Sequence, residues 1–177
     1  RIAPLAQDFI SVVTSPEPHR VFCYTPAAIR LPDGALLVTM DYGGPGIPDY
    51  FPDQPFVRLA PRKDHFIGPG CILGRSLRSE DDGRTWDGSH FYPFCHARPF
   101  VAGGALYILG HCGDLMISRS DDMGRTWSPP RQLTRGQRWH QSACNVWLEG
   151  GRIYLVMEKV VYDDMTCWPV QAMAPVT

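Results

Sequence analysis

The octapeptide Ser79-Glu80-Asp81-Asp82-Gly83-Arg84-Thr85-Trp86 returns 41 residues later as Ser120-Asp121-Asp122-Met123-Gly124-Arg125-Thr126-Trp127, identical at six of eight positions. Each copy follows a strand-like run, Cys71 to Arg78 and Leu115 to Arg119. Its chemistry is that of a tight hairpin. The shared Asp accepts hydrogen bonds from the turn's own amides, and the shared Gly supplies the positive φ that a short loop demands. Thr and Trp then restart an extended strand, the Trp being large enough to plug a gap between sheets. One such turn constrains little, because Asp-x-Gly turns are common. Two near-identical copies at this spacing demand a repeat architecture.

A second recurring element sets the register. Pro32-Asp33-Gly34-Ala35-Leu36-Leu37-Val38 resembles Ala102-Gly103-Gly104-Ala105-Leu106-Tyr107-Ile108 and Glu149-Gly150-Gly151-Arg152-Ile153-Tyr154-Leu155. Each is a Gly-containing two-residue turn that opens an apolar strand. Three units line up. The first places strands near 22–31, 35–42, 71–79 and 85–92; the second near 96–102, 105–111, 114–120 and 126–133. The third places them near 140–148, 152–158 and 168–175. Four short strands in about 40–47 residues is the period of a β-propeller blade, whereas tandem sandwich domains would repeat at about 100 residues. The expectation is an all-β chain of four-stranded antiparallel blades. Blade 1 spans about 22–92, blade 2 about 96–133, and an incomplete blade 3 about 140–177. Blade 1 carries an insertion from Gly43 to Gly70, in which 11 of 28 residues are Pro or Gly, together with Tyr50, Phe51, Phe56 and Phe66. A loop of that length reads either as a binding lid or as a surface excursion.

Composition removes several function classes. The formal net charge is −1 and there is no basic block, so a nucleic-acid partner is not expected. No apolar run approaches the roughly 18 residues of a membrane-spanning helix. The first residue is Arg and no signal-peptide pattern is visible, which reads as an internal piece of a longer protein. The six cysteines, Cys23, Cys71, Cys95, Cys112, Cys144 and Cys167, show no C-x-x-C pair and no zinc-type spacing. They are expected to be unpaired core thiols, with one or two disulfides as the alternative, and with no metal and no cofactor.

The duplicated S-x-D-x-G-x-T-W resembles the Asp-box, or bacterial neuraminidase repeat (BNR), of the sialidase (neuraminidase) superfamily. Pro26-Ala27-Ala28-Ile29-Arg30-Leu31-Pro32-Asp33-Gly34-Ala35-Leu36-Leu37 is similar to the opening blade of those proteins. The resemblance implies a six-bladed propeller, of which this chain would be about half. It also implies a glycan partner and, by analogy, an extracellular or periplasmic location. Family sialidases hold the substrate carboxylate with three arginines, attack with a Tyr assisted by a Glu, and protonate the leaving group with an Asp. The first of those arginines precedes the Pro of the opening strand, and Tyr24 holds that position here.

In a propeller, the starts of first strands and the ends of second strands share one face around the axis, while Asp-box turns lie on the opposite face. The Asp-box carboxylates are thereby assigned to structure. The axial face collects Arg20, Tyr24, His96, Arg98, Arg138 and His140 from first strands. From second strands it collects Asp41, Tyr42, His111, Asp114, Glu158 and Lys159. Such groups supply acid–base chemistry and hold a hydroxyl-rich or anionic ligand. Asp41, Asp64 and Glu158 are the candidate catalytic carboxylates, Asp64 because the family's acid comes from a loop of the first blade. Arg20, Tyr24, His96, Arg98, His111, Arg138 and His140 are the candidate substrate-binding residues. The alternative reading makes His96 and His140 hydrogen-bonded struts at strand starts, and Asp41 and Glu158 solvated strand ends. Two functions follow: a sialidase-like glycoside hydrolase acting on a polar or acidic glycan, or a non-catalytic propeller that binds glycan or protein.

Overall fold

A computed structural model describes residues 8–59, 70–140, 146–160 and 170–172 of the chain. They form antiparallel sheets, with one four-residue helix. The first sheet contains β1 (Phe22–Arg30), β2 (Leu36–Gly44), β3 (Val57–Arg58), β4 (Cys71–Ser79) and β5 (Asp87–Tyr92), with α1 (Ile47–Tyr50) between β2 and β3. Its order is β1-β2-β4, and both β3 and β5 pair with the free side of β4. The second is a four-stranded meander of β6 (Cys95–Ala102), β7 (Ala105–Cys112), β8 (Asp114–Ser120) and β9 (Arg131–Gln132). The third unit comprises β10 (Trp139–His140), β11 (Trp147–Glu149), β12 (Arg152–Tyr154), β13 (Glu158–Val160) and β14 (Val170–Ala172). There β10 pairs β13, β13 pairs β14 and β11 pairs β12.

Local sequence explains where these strands begin and end. Gly103 and Gly104, and again Gly150 and Gly151, all have positive φ, the requirement of a two-residue hairpin turn whose twist matches its strands. The strand expected over 126–133 contracts to Arg131–Gln132, because Pro129 and Pro130 have no N–H to give to the ladder. Ser128 N–H still reaches the Arg119 carbonyl at 2.7 Å, so the chain stays beside β8.

Both octapeptides close in the same way. Ser79 Oγ donates to Asp81 Oδ1 at 2.8 Å and accepts from Gly83 N at 2.8 Å. Asp81 takes the Thr85 amide at 2.8 Å and the Thr85 hydroxyl at 2.7 Å. Ser120, Asp122, Gly124 and Thr126 repeat these four bonds at 2.6–2.8 Å. The bonds hold both carboxyls at about 2, below the usual carboxylate range. Trp127 stacks on His90 of the first sheet, with ring centroids 5.2 Å apart, and so fills the space between two sheets.

Along β2 and β7 successive side chains face opposite sides of the sheet. On β2, Leu37 packs against Leu106 of the second sheet and the Thr39 hydroxyl donates to the Ala97 carbonyl at 2.8 Å. Met40 and Tyr42 point the other way, into a cluster with Val21, Ile47 and Leu73 on which Phe51 and Phe56 of the insertion pack. On β7, Ile108 clusters with Tyr92 of the first sheet, Phe94 and Ala97, while Leu109 joins Leu155 and Met157 of the third unit. Both sheets are therefore covered on two faces. The described part of the insertion, including α1, is packed cover for the first sheet. Its residues 60–69 lie outside the described residues. Among the described residues the cysteines are free: Cys71 and Cys95 are buried, Cys112 is half-buried and Cys23 is exposed, while Cys144 and Cys167 lie outside the described residues. Among the described residues, no helix is long and apolar enough to cross a membrane.

Candidate functional site

Three cross-strand pairs occupy equivalent positions in the three units: Tyr24 opposite Asp41, Cys95 opposite His111, and His140 opposite Glu158. Register places them at one end of the sheets. Leu36 and Leu106 pair with Ser79 and Ser120, where the duplicated turns begin, whereas Asp41 and His111 lie near the far ends of the same strands.

Beside two of these pairs the first strand carries a β-bulge. Thr25 and Pro26 stand opposite Met40 alone, and His96 and Ala97 stand opposite Gly110 alone. Thr25 and His96 are the left-handed residues of these bulges, with φ of 49° and 56°. Neither is Gly, so each carries backbone strain, and a bulge of this kind re-aims the side chain it carries. Gly110 makes the second bulge possible. A Cβ there would lie 2.4 Å from the Cys95 carbonyl oxygen.

The re-aimed groups meet. The Thr25 hydroxyl donates to Asp41 Oδ2, which also accepts the His96 backbone N–H at 2.7 Å. His96 Nδ1 lies 3.2 Å from His111 Nε2, and the His140 ring stands edge-on to His96 with centroids 5.0 Å apart. The His111 and His140 centroids are 5.6 Å apart, and His140 Nδ1 meets Glu158 Oε2 at 2.9 Å. Cys95 Sγ is 3.9 Å from His111 Nε2. Tyr24 meets His96 edge-on at 6.2 Å and packs where a Cβ on Gly43 would come within 2.8 Å of its ring.

Burial divides this cluster into an inner and an outer part. Asp41 is 1% exposed, and desolvation pushes its carboxyl up to about 7, against the opposing pull of Thr25, the His96 amide and Arg98. Burial, then the neighbouring His96 and His140, press His111 down to about 3 and keep its ring neutral. Burial, then Asp41 and Cys112, raise the Cys95 thiol. Burial, then Asp41 and Cys95, raise the Tyr24 phenol. The His140–Glu158 pair is the open part, with side chains 25% and 28% exposed.

The remaining candidates fall elsewhere. Arg98 is 4% exposed and sends Nη1 to the Thr25 carbonyl at 3.4 Å. Its Nη2 and Asp41 Oδ1 are buried with no hydrogen-bond partner among the described residues. Arg20 pairs with Glu17 at 3.1 Å and with Asp49 of α1, and so fastens the insertion. Arg138 is half-buried just before β10. Asp64 lies outside the described residues. Asp114 is occupied by its own loop: it accepts Gln132 Nε2 at 2.7 Å, the Thr134 hydroxyl at 2.8 Å, and the Gly136 and Gln137 amides at 3.0 and 2.9 Å.

Sequence reasoning missed Thr25 and Cys95. Thr25 lies in one bulge and Cys95 flanks the other, and a bulge is a backbone event with no composition signature. A usable signal exists for their partners, since Asp41, His111 and Glu158 each stand seven residues after a turn glycine, Gly34, Gly104 and Gly151.

No family model matches the chain, and no curated protein matches it. Among solved structures, the chain is similar to a protein of unknown function from Dyadobacter fermentans, at 15% identity and a TM-score of 0.35. The alignment covers 77% of this chain and 57% of that one, so the chain spans little more than half the length of that structure.

Proposed function

We propose that the chain is part of a sialidase-like β-propeller that hydrolyses glycosidic bonds in a polar or acidic glycan. The sheets would be two blades and part of a third, each carrying its pair at the axial end. One observation carries the reading: groups from three successive units meet at the strand ends away from the duplicated turns. Glu158 is the accessible carboxylate and would act as the general acid–base, with His140 at 2.9 Å setting its orientation. His96 and Tyr24 offer polar edges to sugar hydroxyls, and Arg138 is the candidate for an anionic substituent. Asp41 and Arg98, too buried to touch a substrate, would position Thr25 and His96.

Turnover of a panel of aryl glycosides, sialosides included, by the full-length protein tests the proposal. Glu158→Gln should lower kcat by about 100-fold or more, while KM changes little. Unchanged kcat in that variant would reject Glu158 as the acid–base.

The burial of Asp41 favours a second reading, a non-catalytic glycan-binding propeller. A sialidase-like mechanism needs an accessible carboxylic acid to protonate the leaving group, a part that Asp41, 1% exposed, does not offer. Glycan binding by a protein with no turnover on the whole panel would select this reading.

A further inference from the structure

Cys95, His96 and His111 present one ligand atom each, all within 4.8 Å of one another. We propose that they form a site for a single divalent transition-metal ion of the zinc type, with the His140–Glu158 pair beside it. The inference goes beyond the glycosidase reading and does not depend on it.

Two of the three donor separations lie near those of the ion. A tetrahedral zinc with Zn–N of about 2.05 Å and Zn–S of about 2.3 Å sets its nitrogens about 3.3 Å apart and sulfur to nitrogen about 3.6 Å apart. His96 Nδ1 and His111 Nε2 are 3.2 Å apart, and Cys95 Sγ is 3.9 Å from His111 Nε2. In the N···N contact one of the two nitrogens carries a proton; once that ring shifts it to its other nitrogen, both neutral imidazoles turn a lone pair to the ion and the contact becomes the edge of a coordination polyhedron.

Chemistry and backbone support the same assignment. One thiolate and two neutral imidazoles are borderline-soft donors that suit zinc and its neighbours and do not suit calcium or magnesium. Binding displaces the Cys95 thiol proton to solvent, and the resulting thiolate leaves the site with one net positive charge, which the carboxylates of Asp41 and Glu158 flank. His96 is a non-Gly residue held at φ 56° by the Asp41 bond to its own amide. The same strained turn in the first sheet directs Thr25 at Asp41, so the second sheet uses an inherited bulge to present a ligand instead of a hydroxyl. Three protein ligands leave one coordination position, which a water or a substrate hydroxyl can take.

Titration of tag-free, chelator-stripped full-length protein with Zn(II) against a chromophoric chelator should give one tight equivalent per chain. Co(II) should show tetrahedral visible bands and a thiolate charge-transfer band. Changing a residue that merely orients a ligand costs roughly 10–100-fold in metal affinity, so Cys95→Ser and His96→Gln should each weaken zinc by about 100-fold or more. Cys95→Ser should also abolish the charge-transfer band, which the exposed Cys23 cannot then supply. Circular dichroism establishes that both variants fold, and a variant that does not is replaced by His111→Asn. Absence of a tight equivalent, or unchanged zinc affinity in the folded variants, overturns the site.

Discussion

The Asp41 carboxylate accepts the His96 backbone N–H at 2.7 Å, so a side chain of one sheet fixes the strained turn of the next. The same oxygen takes the Thr25 hydroxyl, and one buried group thereby ties two equivalent bulges together. Asp41→Ala leaves the His96 amide without its acceptor, and destabilisation by about 1–3 kcal/mol is expected from the buried N–H left unsatisfied. Asp41→Asn keeps one acceptor oxygen and should cost less. Urea denaturation of both variants, read by far-ultraviolet circular dichroism, checks the order; equal stability in wild type and Asp41→Ala would remove Asp41 as the tie.

Gly74 sits directly opposite both Asp41 and Tyr92, and its Cα hydrogen is all that the ring of Tyr92 leaves room for. A Cβ would fall 1.8 Å from Tyr92 Cε2 and 2.5 Å from the Phe94 carbonyl oxygen. Gly74→Ala should therefore lose about 3 kcal/mol or more, at the upper end of overpacking costs. A melting temperature within a degree or so of wild type would show that the sheet yields there.

The duplicated turns predict an acid transition. Asp81 and Asp122 lie at about 2 when folded, against an ordinary value of about 4. A lowered carboxyl contributes stability that is complete above the unfolded value and is lost as pH falls from about 4 towards 2. The double variant Asp81→Asn, Asp122→Asn should be less stable at neutral pH and lose less stability across that window. Parallel wild-type and variant curves of denaturation midpoint against pH would contradict this.

His90 gives a second, separable pH signal. It stacks on Trp127 with an interplanar angle of 8°, and burial holds its imidazole down at about 4. For a lowered histidine the stability is complete above the unfolded value of about 6.5 and is lost as pH falls towards 4. Trp127 fluorescence should change with a midpoint near 4 as the stacked ring becomes charged, and His90→Phe should abolish that change. A midpoint near the ordinary histidine value would mean that the ring is solvated.

Much of the strand pattern was legible because it rests on local rules. The paired glycines at 103–104 and 150–151 demand two-residue hairpins, and the Ser-Asp-Gly-Thr set closes a turn with its own side chains. The short β9 was legible too, had Pro129-Pro130 been weighed against the repeat. His111 and Glu158 could be found by counting from the turn glycines. The fate of the arginines could not. Arg98 is buried against the Thr25 carbonyl and Arg20 is bound to Asp49 because of partners that come from other elements, which no local rule names.

The amino-acid sequence alone determined the repeat, the register and the end of the strands where polar groups collect, since hydrogen-bond closure and φ preference act within a few residues. Only the tertiary structure decided which of those groups touch and which are withdrawn from water. Bulges at Thr25 and His96 rotate side chains by one register step, and sheet stacking buries Asp41 while leaving Glu158 open. Both effects depend on the neighbouring sheet, through desolvation and contacts between residues tens of positions apart. Equivalent sequence positions therefore carry unequal chemistry: a buried tie at Asp41, a neutral imidazole at His111 and an accessible carboxylate at Glu158.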